Sequence, residues 1–273
     1  MRIPEVIADA DVVARRNIIK IKRVPDLLVF TTLQPIMFVL LFAYVFGGAI
    51  GGAIGGGGGG SRSYREFLIA GIFAQTVIFG ATITGAGLAE DVRKGIIDRF
   101  RSLPMAPSAV LAGRTLSDVV NNVLVLVVMS LTGLVVGWRI RGSFVEAVLG
   151  YAVLLVFAYA VSWIMAWVGM LVPSPEVVNN AAFIIIFPLT FIANTFVPLE
   201  TLPGPLQRFA EWNPVSSVTQ AARELFGNIP EGTPPPEAWP LQNPALYTVI
   251  WSIVILAVFI PLANAQYRVS TSR

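Results

Sequence analysis

Six apolar stretches dominate the sequence and constrain the fold more than any other feature. They cover residues 27–47, 67–89, 115–137, 144–172, 178–197 and 247–267. A bilayer core of about 30 Å is crossed by about 20 apolar residues in a helix, so each stretch is long enough to span a membrane. Only 13% of the residues are charged, against about 25% in soluble domains. The sequence therefore predicts an all-α integral membrane protein with six transmembrane helices.

The distribution of Lys and Arg between the loops predicts the orientation of the chain. With six spans, the first 26 residues, the loop after the second span and the final tail lie on one side and hold 13 of the 19 basic residues. Because basic loops face the cytoplasm, both termini are predicted to be cytoplasmic in a multi-pass plasma (inner) membrane protein. We expect a single domain over residues 1–273, with a cytoplasmic segment at 1–26, a six-span bundle at 27–267 and a cytoplasmic tail at 268–273.

The first 26 residues form an amphipathic pattern on a helical wheel. Val6, Ala10, Val13, Ala14 and Ile21 fall on one side, and most basic residues fall opposite. A helix of this kind can lie in the membrane interface with its apolar side in the lipid. A plain solvated helix is the alternative.

Two connections on the predicted outer side differ in kind. Residues 47–61 are rich in glycine but lack the Lys and Ser or Thr of a phosphate-binding loop, so a flexible connector is expected. Residues 198–244 begin with two short helices that break at Asn213-Pro214, followed by a Pro-rich loop. Because backbone at membrane depth must be helical or shielded by protein, this pair can enter the outer leaflet as half-helices.

A compact charged segment, "EDVRKGIIDRFRSLPMAP", follows the second span at residues 90–107. On one helical wheel, Val92, Ile96, Phe100 and Leu103 share an apolar arc, and charged residues fill the opposite side, which predicts a short cytoplasmic helix over 90–103. Such a helix either rests its apolar arc on the membrane or docks another protein.

Several classes of chemistry are excluded or disfavoured by composition. The chain has no cysteine and no histidine, so thiolate nucleophiles, imidazole bases and the usual zinc ligands are missing, and no metal site is predicted. The sequence has no basic stripe with interleaved aromatic residues, so nucleic-acid binding is not predicted. An ion-driven carrier would place carboxylates at mid-span, whereas Asp118, Glu146 and the pair Asn121-Asn122 are predicted near the ends of spans, within reach of the interface. Because these catalytic side chains are missing, the chain is not expected to be an enzyme.

Two motifs carry a family resemblance. "EDVRKGIIDRFRSLPMAPSAVLAGR", residues 90–114, resembles the cytoplasmic loop of ABC type-2 transporter permeases, in particular their daunorubicin-resistance branch. "FVPLETLPGPLQRFAEWNPVSSVTQAAREL", residues 196–225, is similar to the family's segment after the fifth span. The predicted topology agrees with this family along the whole chain, and the Gly-rich connector is the one departure.

The resemblance implies a permease subunit of an ATP-driven exporter that moves an amphipathic cargo, a drug-like molecule or a lipid, outward across the plasma membrane. A polysaccharide-exporting ABC permease and an ion-driven secondary transporter are the alternatives. The implied partners are a separate ABC ATPase that uses ATP and Mg²⁺, a second identical or related permease, and membrane lipid. No cofactor is expected on this chain, and the amino-terminal helix corresponds to an interfacial elbow.

The resemblance also assigns roles to residues. The ATPase-coupling helix would include Glu90, Asp91, Arg93, Gly95, Asp98, Arg99 and Arg101, and the outer gate would include Pro203, Asn213 and Pro214. Polar or kink-forming positions in or beside spans could line the pathway or serve helix packing; these are Gln75, Thr76, Thr84, Asn179, Asn180, Pro188 and Asn194. The small residues between positions 80 and 87 predict close helix packing in the second span.

Overall fold

The computed structural model describes residues 12–15, 19, 25–46, 60–101, 107–172, 174–229 and 235–269, and within these ranges the regular structure is helical. The all-α prediction is confirmed. After residue 24, the helices that the structure describes are, in chain order, α1 (Pro25–Leu40, continued by a π-helical segment Leu41–Phe46), α2 (Gly60–Gly80), α3 (Thr82–Arg93), α4 (Ile96–Arg101), α5 (Pro107–Val136), α6 (Phe144–Leu171), α7 (Pro175–Phe191), α8 (Gly204–Trp212), α9 (Pro214–Phe226), α10 (Trp239–Gln242) and α11 (Pro244–Val269), with a 3-10 turn at Leu199–Thr201.

Four helical segments are long and apolar enough to cross a membrane. They are Tyr64–Arg93, which combines α2 and α3, and Ser108–Val136, Phe144–Leu171 and Pro244–Val269. Two shorter apolar helices, Thr32–Val45 and Pro175–Phe191, lie at the positions of the first and fifth predicted spans.

Parts of three sequence predictions lie outside the described residues: most of the amino-terminal helix, the Gly-rich connector and the end of the tail. In the one amino-terminal turn that the structure describes, residues 12–15, Val13 and Ala14 are buried and Val12 is exposed.

A close backbone contact at two glycines joins α3 to α6. A Cβ atom built on Gly169 of α6 would lie 2.2 Å from the carbonyl oxygen of Gly85 in α3. A Cβ atom on Gly85 would lie 2.8 Å from the Met165 carbonyl oxygen. The two backbones therefore approach each other as the small residues of this span predict.

The start of α5 differs from the sequence prediction and changes the environment of three polar residues. The helix begins at Pro107 rather than at residue 115, so Asn122 lies about 22 Å along the helix from its first residue. Asp118, Asn121 and Asn122 are 5%, 6% and 1% exposed. These side chains are therefore buried among the helices instead of being open to water, and their position near the end of a span stays a prediction. Glu146 does lie exposed at the start of α6.

Ser143 and Glu146 form a reciprocal cap at the start of α6. The Glu146 amide donates to Ser143 Oγ at 3.3 Å, and the Ser143 amide donates to Glu146 Oε2 at 2.6 Å. Replacing Ser143 with alanine is expected to cost about 1 kcal/mol of stability, because one amide of the first turn loses its acceptor. Thermal unfolding of the purified protein in detergent measures this loss. Ser174→Ala is the control, because the Ser174 side chain does not cap α7, and equal losses in the two variants would contradict the prediction.

Candidate functional site

The charged segment lies at one end of the bundle, here called the α4 end. Helix α3 stops at Arg93, and a turn at Lys94-Gly95 separates it from α4. Gly95 has a φ of +65°, a left-handed conformation that glycine adopts without steric cost. The single helix predicted over residues 90–103 is therefore two helices, and residues 102–106 lie outside the described ranges.

The apolar side of α4 packs against the bundle itself. Ile97 is 2% exposed and Phe100 is partly buried, and they contact the α4-end cluster, which is formed by Leu88, Val110, Leu111, Trp163, Ala166, Met170, Ala263 and Tyr267. The turn at Gly95 shifts the helical phase, so that Ile97 rather than the predicted Ile96 enters the core. This cluster contains side chains of α3, α4, α5, α6 and α11, so Ile97 ties α4 into the packing of the bundle.

The charged side of this segment includes ion pairs at the end of α3 and exposed charged residues on α4. Glu90 forms ion pairs with Arg93 at 2.6 Å and with Lys94 at 2.8 Å, all within the end of α3 and the following turn. Asp98 and Arg99 are exposed on α4. Asp91 is partly buried, and Arg101 is the last residue of α4. The α4 end therefore presents both charge signs on a helix whose other side is fixed to the core.

A cavity of about 160 Å³ lies between α1, α2, α3 and α5. It brings together two residues predicted for the pathway, Gln75 and Thr76, with Gln34, Asn121 and Asn122. No lining residue among those described is charged. Gln34 was not singled out in the sequence. Asn121-Asn122 were noted there as polar residues near the end of a span, but not as neighbours of Gln75.

The other residues predicted for the pathway lie elsewhere. Thr84 is fully buried in α3, and its hydroxyl has no hydrogen-bond partner in the described part of the chain. Asn179 and Asn180 are exposed near the start of α7, and Pro188 is exposed within it. Asn194 lies at the opposite end of the bundle, where its side chain donates to Gln220 Oε1 at 3.3 Å.

The opposite end carries the α8–α9 hairpin, and is here called the hairpin end. As predicted, α8 and α9 meet at Asn213-Pro214. Asn213 is 2% exposed and accepts from the Val215 amide at 2.9 Å, which caps α9. Its amide nitrogen donates to the carbonyl oxygens of Leu189 and Ile192 at 2.8 and 2.9 Å. Pro203 is exposed just before α8. Asn213 therefore fastens the break in the hairpin to the end of α7.

Arg223 of α9 is the residue that sequence analysis most clearly missed. It is 1% exposed and donates to the carbonyl oxygens of Phe67, Asn194 and Thr195 at 2.9, 2.5 and 3.1 Å. Its guanidinium also lies over the Phe67 ring, 3.4 Å from the centroid. Burial lowers the pKa of Arg223 well below its ordinary value. Because arginine stays charged in proteins, these carbonyls and the ring must stabilise the buried cation.

Comparison with known proteins decides the family. Residues 10–226 match the membrane domain of the ABC-2 type transporter family. The chain belongs to this family. Membership confirms the resemblance carried by the two motifs and leaves the ion-driven carrier without support.

Three relatives show how this ABC-2 permease compares with others. It is 36% identical over 253 residues to the daunorubicin resistance ABC transporter permease protein DrrB1 of Streptomyces coeruleorubidus, covering 93% of this chain and 83% of the relative. It is 25% identical over 195 residues to the probable doxorubicin resistance permease protein DrrC of Mycobacterium tuberculosis, covering 71% and 67%. It is 24% identical over 200 residues to the polysialic acid transport protein KpsM of Escherichia coli, covering 72% of each chain.

Proposed function

We propose that this permease is the membrane subunit of an ATP-driven exporter that moves an amphipathic cargo, a drug-like molecule or a lipid, outward across the plasma membrane. A separate ABC ATPase binds ATP and Mg²⁺, and the permease works in a pair with an identical or related copy. The observation that carries the proposal is the arrangement of α4, which buries Ile97 in the bundle and exposes Asp98 and Arg99.

This arrangement suits a helix that transmits force. Protein cores are densely packed and transmit strain, so a displacement of α4 moves the α4-end cluster and the helices joined to it. Gly95 gives α4 a change of direction from α3. The exposed charges of α4 set the register of the docked ATPase by electrostatic complementarity. Glu90, Asp91 and Arg93 belong to the same surface in this proposal, and Arg101, the last residue of α4, is assigned to it from the sequence alone.

The proposal includes six spans. Helix α1 has 16 residues and its π-helical continuation has 6, which together extend about 33 Å. Helix α7 has 17 residues, or about 25 Å, and a slightly short helix is accommodated by local thinning of the bilayer. In this proposal α1 with its continuation reaches across a hydrocarbon core of about 30 Å, whereas α7 crosses only where the bilayer is thinned by about 5 Å.

The proposed orientation places the α4 end in the cytoplasm with both termini. The basic bias of 13 residues against 6 supports this assignment. The α8–α9 hairpin then closes the outer end of the pathway, with Pro203, Asn213 and Pro214 at its gate.

The proposed cargo follows from the relatives and from the cavity. Two relatives are named for resistance to daunorubicin or doxorubicin, which supports a drug-like cargo. The relation to the polysialic acid transport protein keeps polysaccharide export as a second candidate. An acidic polymer would meet no cationic side chain in the described lining of the cavity, so an uncharged amphipathic cargo is the better match.

Co-purification of an ATPase from native membranes tests the coupling. In mild detergent, the wild-type permease is expected to retain an ABC ATPase. The double variant Asp98→Lys/Arg101→Glu exchanges two charges of α4 without altering net charge. It is expected to recover at least about tenfold less ATPase, equivalent to about 1.4 kcal/mol of binding.

The matched control is Glu200→Lys/Arg208→Glu. This control likewise replaces one acidic residue with lysine and one arginine with glutamate, but at exposed positions of the hairpin end. It should retain the ATPase. A folded wild-type protein that co-purifies with no ATPase would overturn the proposed function. Equal recovery from both double variants would show that α4 is not the docking surface.

A further inference from the structure

The cavity between α1, α2, α3 and α5 contains polar groups that the protein leaves without hydrogen-bond partners. Gln75, Thr76, Asn121 and Asn122 are 7%, 8%, 6% and 1% exposed. Within the described ranges, none of these four side chains, nor Gln34, is hydrogen-bonded to another residue. The amide oxygen of Asn122 also has no partner, but it is enclosed beside Gly80, 2.5 Å from where a Cβ atom on that glycine would lie, and does not itself face the open part of the cavity. Buried polar side chains are nearly always hydrogen-bonded, so this cavity is built to hold a polar guest.

The depth of the cavity makes that guest more specific. Gln75-Thr76 and Asn121-Asn122 lie near the middle of the segments Tyr64–Arg93 and Ser108–Val136. Each unpaired polar group at such depth costs about 1–3 kcal/mol. A guest that satisfies several of them at once therefore gains binding energy that an apolar molecule of the same size does not.

The volume of the cavity limits the bound part of a guest to about the size of one six-membered ring. The cavity of about 160 Å³ is close to the engineered cavity of about 150 Å³ that binds benzene. That apolar cavity stays dry, whereas this one is lined by four carboxamides and two threonine hydroxyls, of which that of Thr82 donates to the Phe79 carbonyl oxygen at 2.7 Å. In the absence of a guest its volume accommodates about five water molecules.

The chemistry of the lining selects the kind of ring. Carboxamides both donate and accept, and an asparagine amide exchanges these roles by flipping. Hydroxyl groups have the same dual character, and the apolar face of a saturated ring can pack on Phe38 or Phe79, which also line the cavity. We propose that this cavity binds one uncharged, hydroxyl-bearing ring of the cargo, such as a neutral glycosyl group.

The mouth of the cavity suits the rest of an amphipathic molecule. Gln34 is exposed on α1 and lines the cavity. Leu33 and Met37, on the same helix, are 48% and 55% exposed. A molecule whose polar ring enters beside Gln34 leaves its apolar part against this surface. The inference rests on the proposed export function, because it assigns a site to the cargo of that exporter.

Photolabelling of the full-length permease in lipid nanodiscs tests this inference. The probe is a radiolabelled decyl β-glucoside with a photoreactive diazirine on the chain carbon nearest the sugar. Labelling is expected in peptides that contain α1 and α2, and unlabelled decyl glucoside should compete. Decyl cyclohexyl ether, which lacks hydroxyls on its ring, and decyl glucuronide, which is anionic, should compete at least about tenfold more weakly, since each fails to match the neutral polar lining.

Variants connect the labelling to the cavity. Gln75→Leu/Asn122→Leu should reduce specific labelling at least about tenfold, and its fold should survive because apolar groups replace unpaired polar ones. Thr76→Val keeps the shape of the side chain and should reduce labelling about threefold, corresponding to one weak hydrogen bond. Asn264→Leu is the control, since Asn264 is an amide of α11 outside the cavity.

The outcomes separate this inference from the proposed function. Unchanged labelling in the folded double variant, or equal competition by either analogue, would overturn the inference. A cavity that holds only water gives no specific labelling and has the same consequence. If the permease retains the ATPase but shows no specific labelling, the proposed export function stands and the proposed ring-binding site is wrong. If it is labelled but co-purifies with no ATPase, the proposed export function is wrong.

Discussion

Arg223→Met is expected to lower the stability of the purified permease by about 3 kcal/mol or more, the largest loss we expect from any single side chain at the hairpin end. The guanidinium donates to three backbone carbonyls, and these belong to α2 and to the segment after α7. Methionine fills a similar volume but leaves these carbonyls without their donor. The loss corresponds to a decrease of roughly 6–12 °C in the unfolding temperature in detergent.

Two further variants separate charge from geometry. Arg223→Lys keeps a positive charge but has no planar fork of donors, so an intermediate loss is expected. Arg208→Met removes an exposed arginine from α8 and should change stability by less than about 0.5 kcal/mol. If Arg223→Met unfolded at the same temperature as Arg208→Met, Arg223 would not hold the hairpin to the bundle.

Gly169→Ala is expected to destabilise the protein by about 3 kcal/mol, at the upper end of overpacking effects. Inside an open helix, replacing glycine with alanine normally stabilises by up to about 1 kcal/mol. At Gly169 the new methyl would lie 2.2 Å from the Gly85 carbonyl oxygen and 2.7 Å from its Cα. Both are backbone atoms, so α3 and α6 must move apart. The sign of the effect is therefore opposite to that of helix propensity.

Gly204→Ala provides the matched control for this prediction. A Cβ atom on Gly204 meets no atom within 4 Å, so the substitution should be neutral or slightly stabilising. The unfolding temperatures of both variants in the same detergent give the comparison. A Gly169→Ala protein as stable as wild type would show that the two helices can separate at little cost.

The sequence predicted most of the helices but few of the contacts between them. The break at Asn213-Pro214 was predictable because proline lacks an amide proton and asparagine caps helices. Helix α5 begins at Pro107, before the predicted span at residue 115, because the polar residues after Pro107 interrupt the apolar run but remain helical in the structure. The sequence therefore did not show that Asn121 and Asn122 line a cavity together with Gln75.

The charged segment at residues 90–107 was also predicted in part from the sequence and decided in part by packing. Its amphipathic character and its place after the second span were evident from the sequence. The turn at Gly95 was not, because glycine fits both a helix interior and a left-handed turn. Packing on the α4-end cluster decides between them by burying Ile97.

By itself, the sequence determined that the chain is helical and membrane-spanning, where its helices lie, and which transporter family its motifs resemble. These properties follow from local composition, periodicity and capping, which act over a few turns. Only the tertiary structure decided that Arg223 binds carbonyls of two other segments, that Gly85 meets Gly169, and that Gln75 shares a cavity with Asn122. Each of these contacts joins residues far apart in the chain, and their free energy depends on packing that no local pattern records.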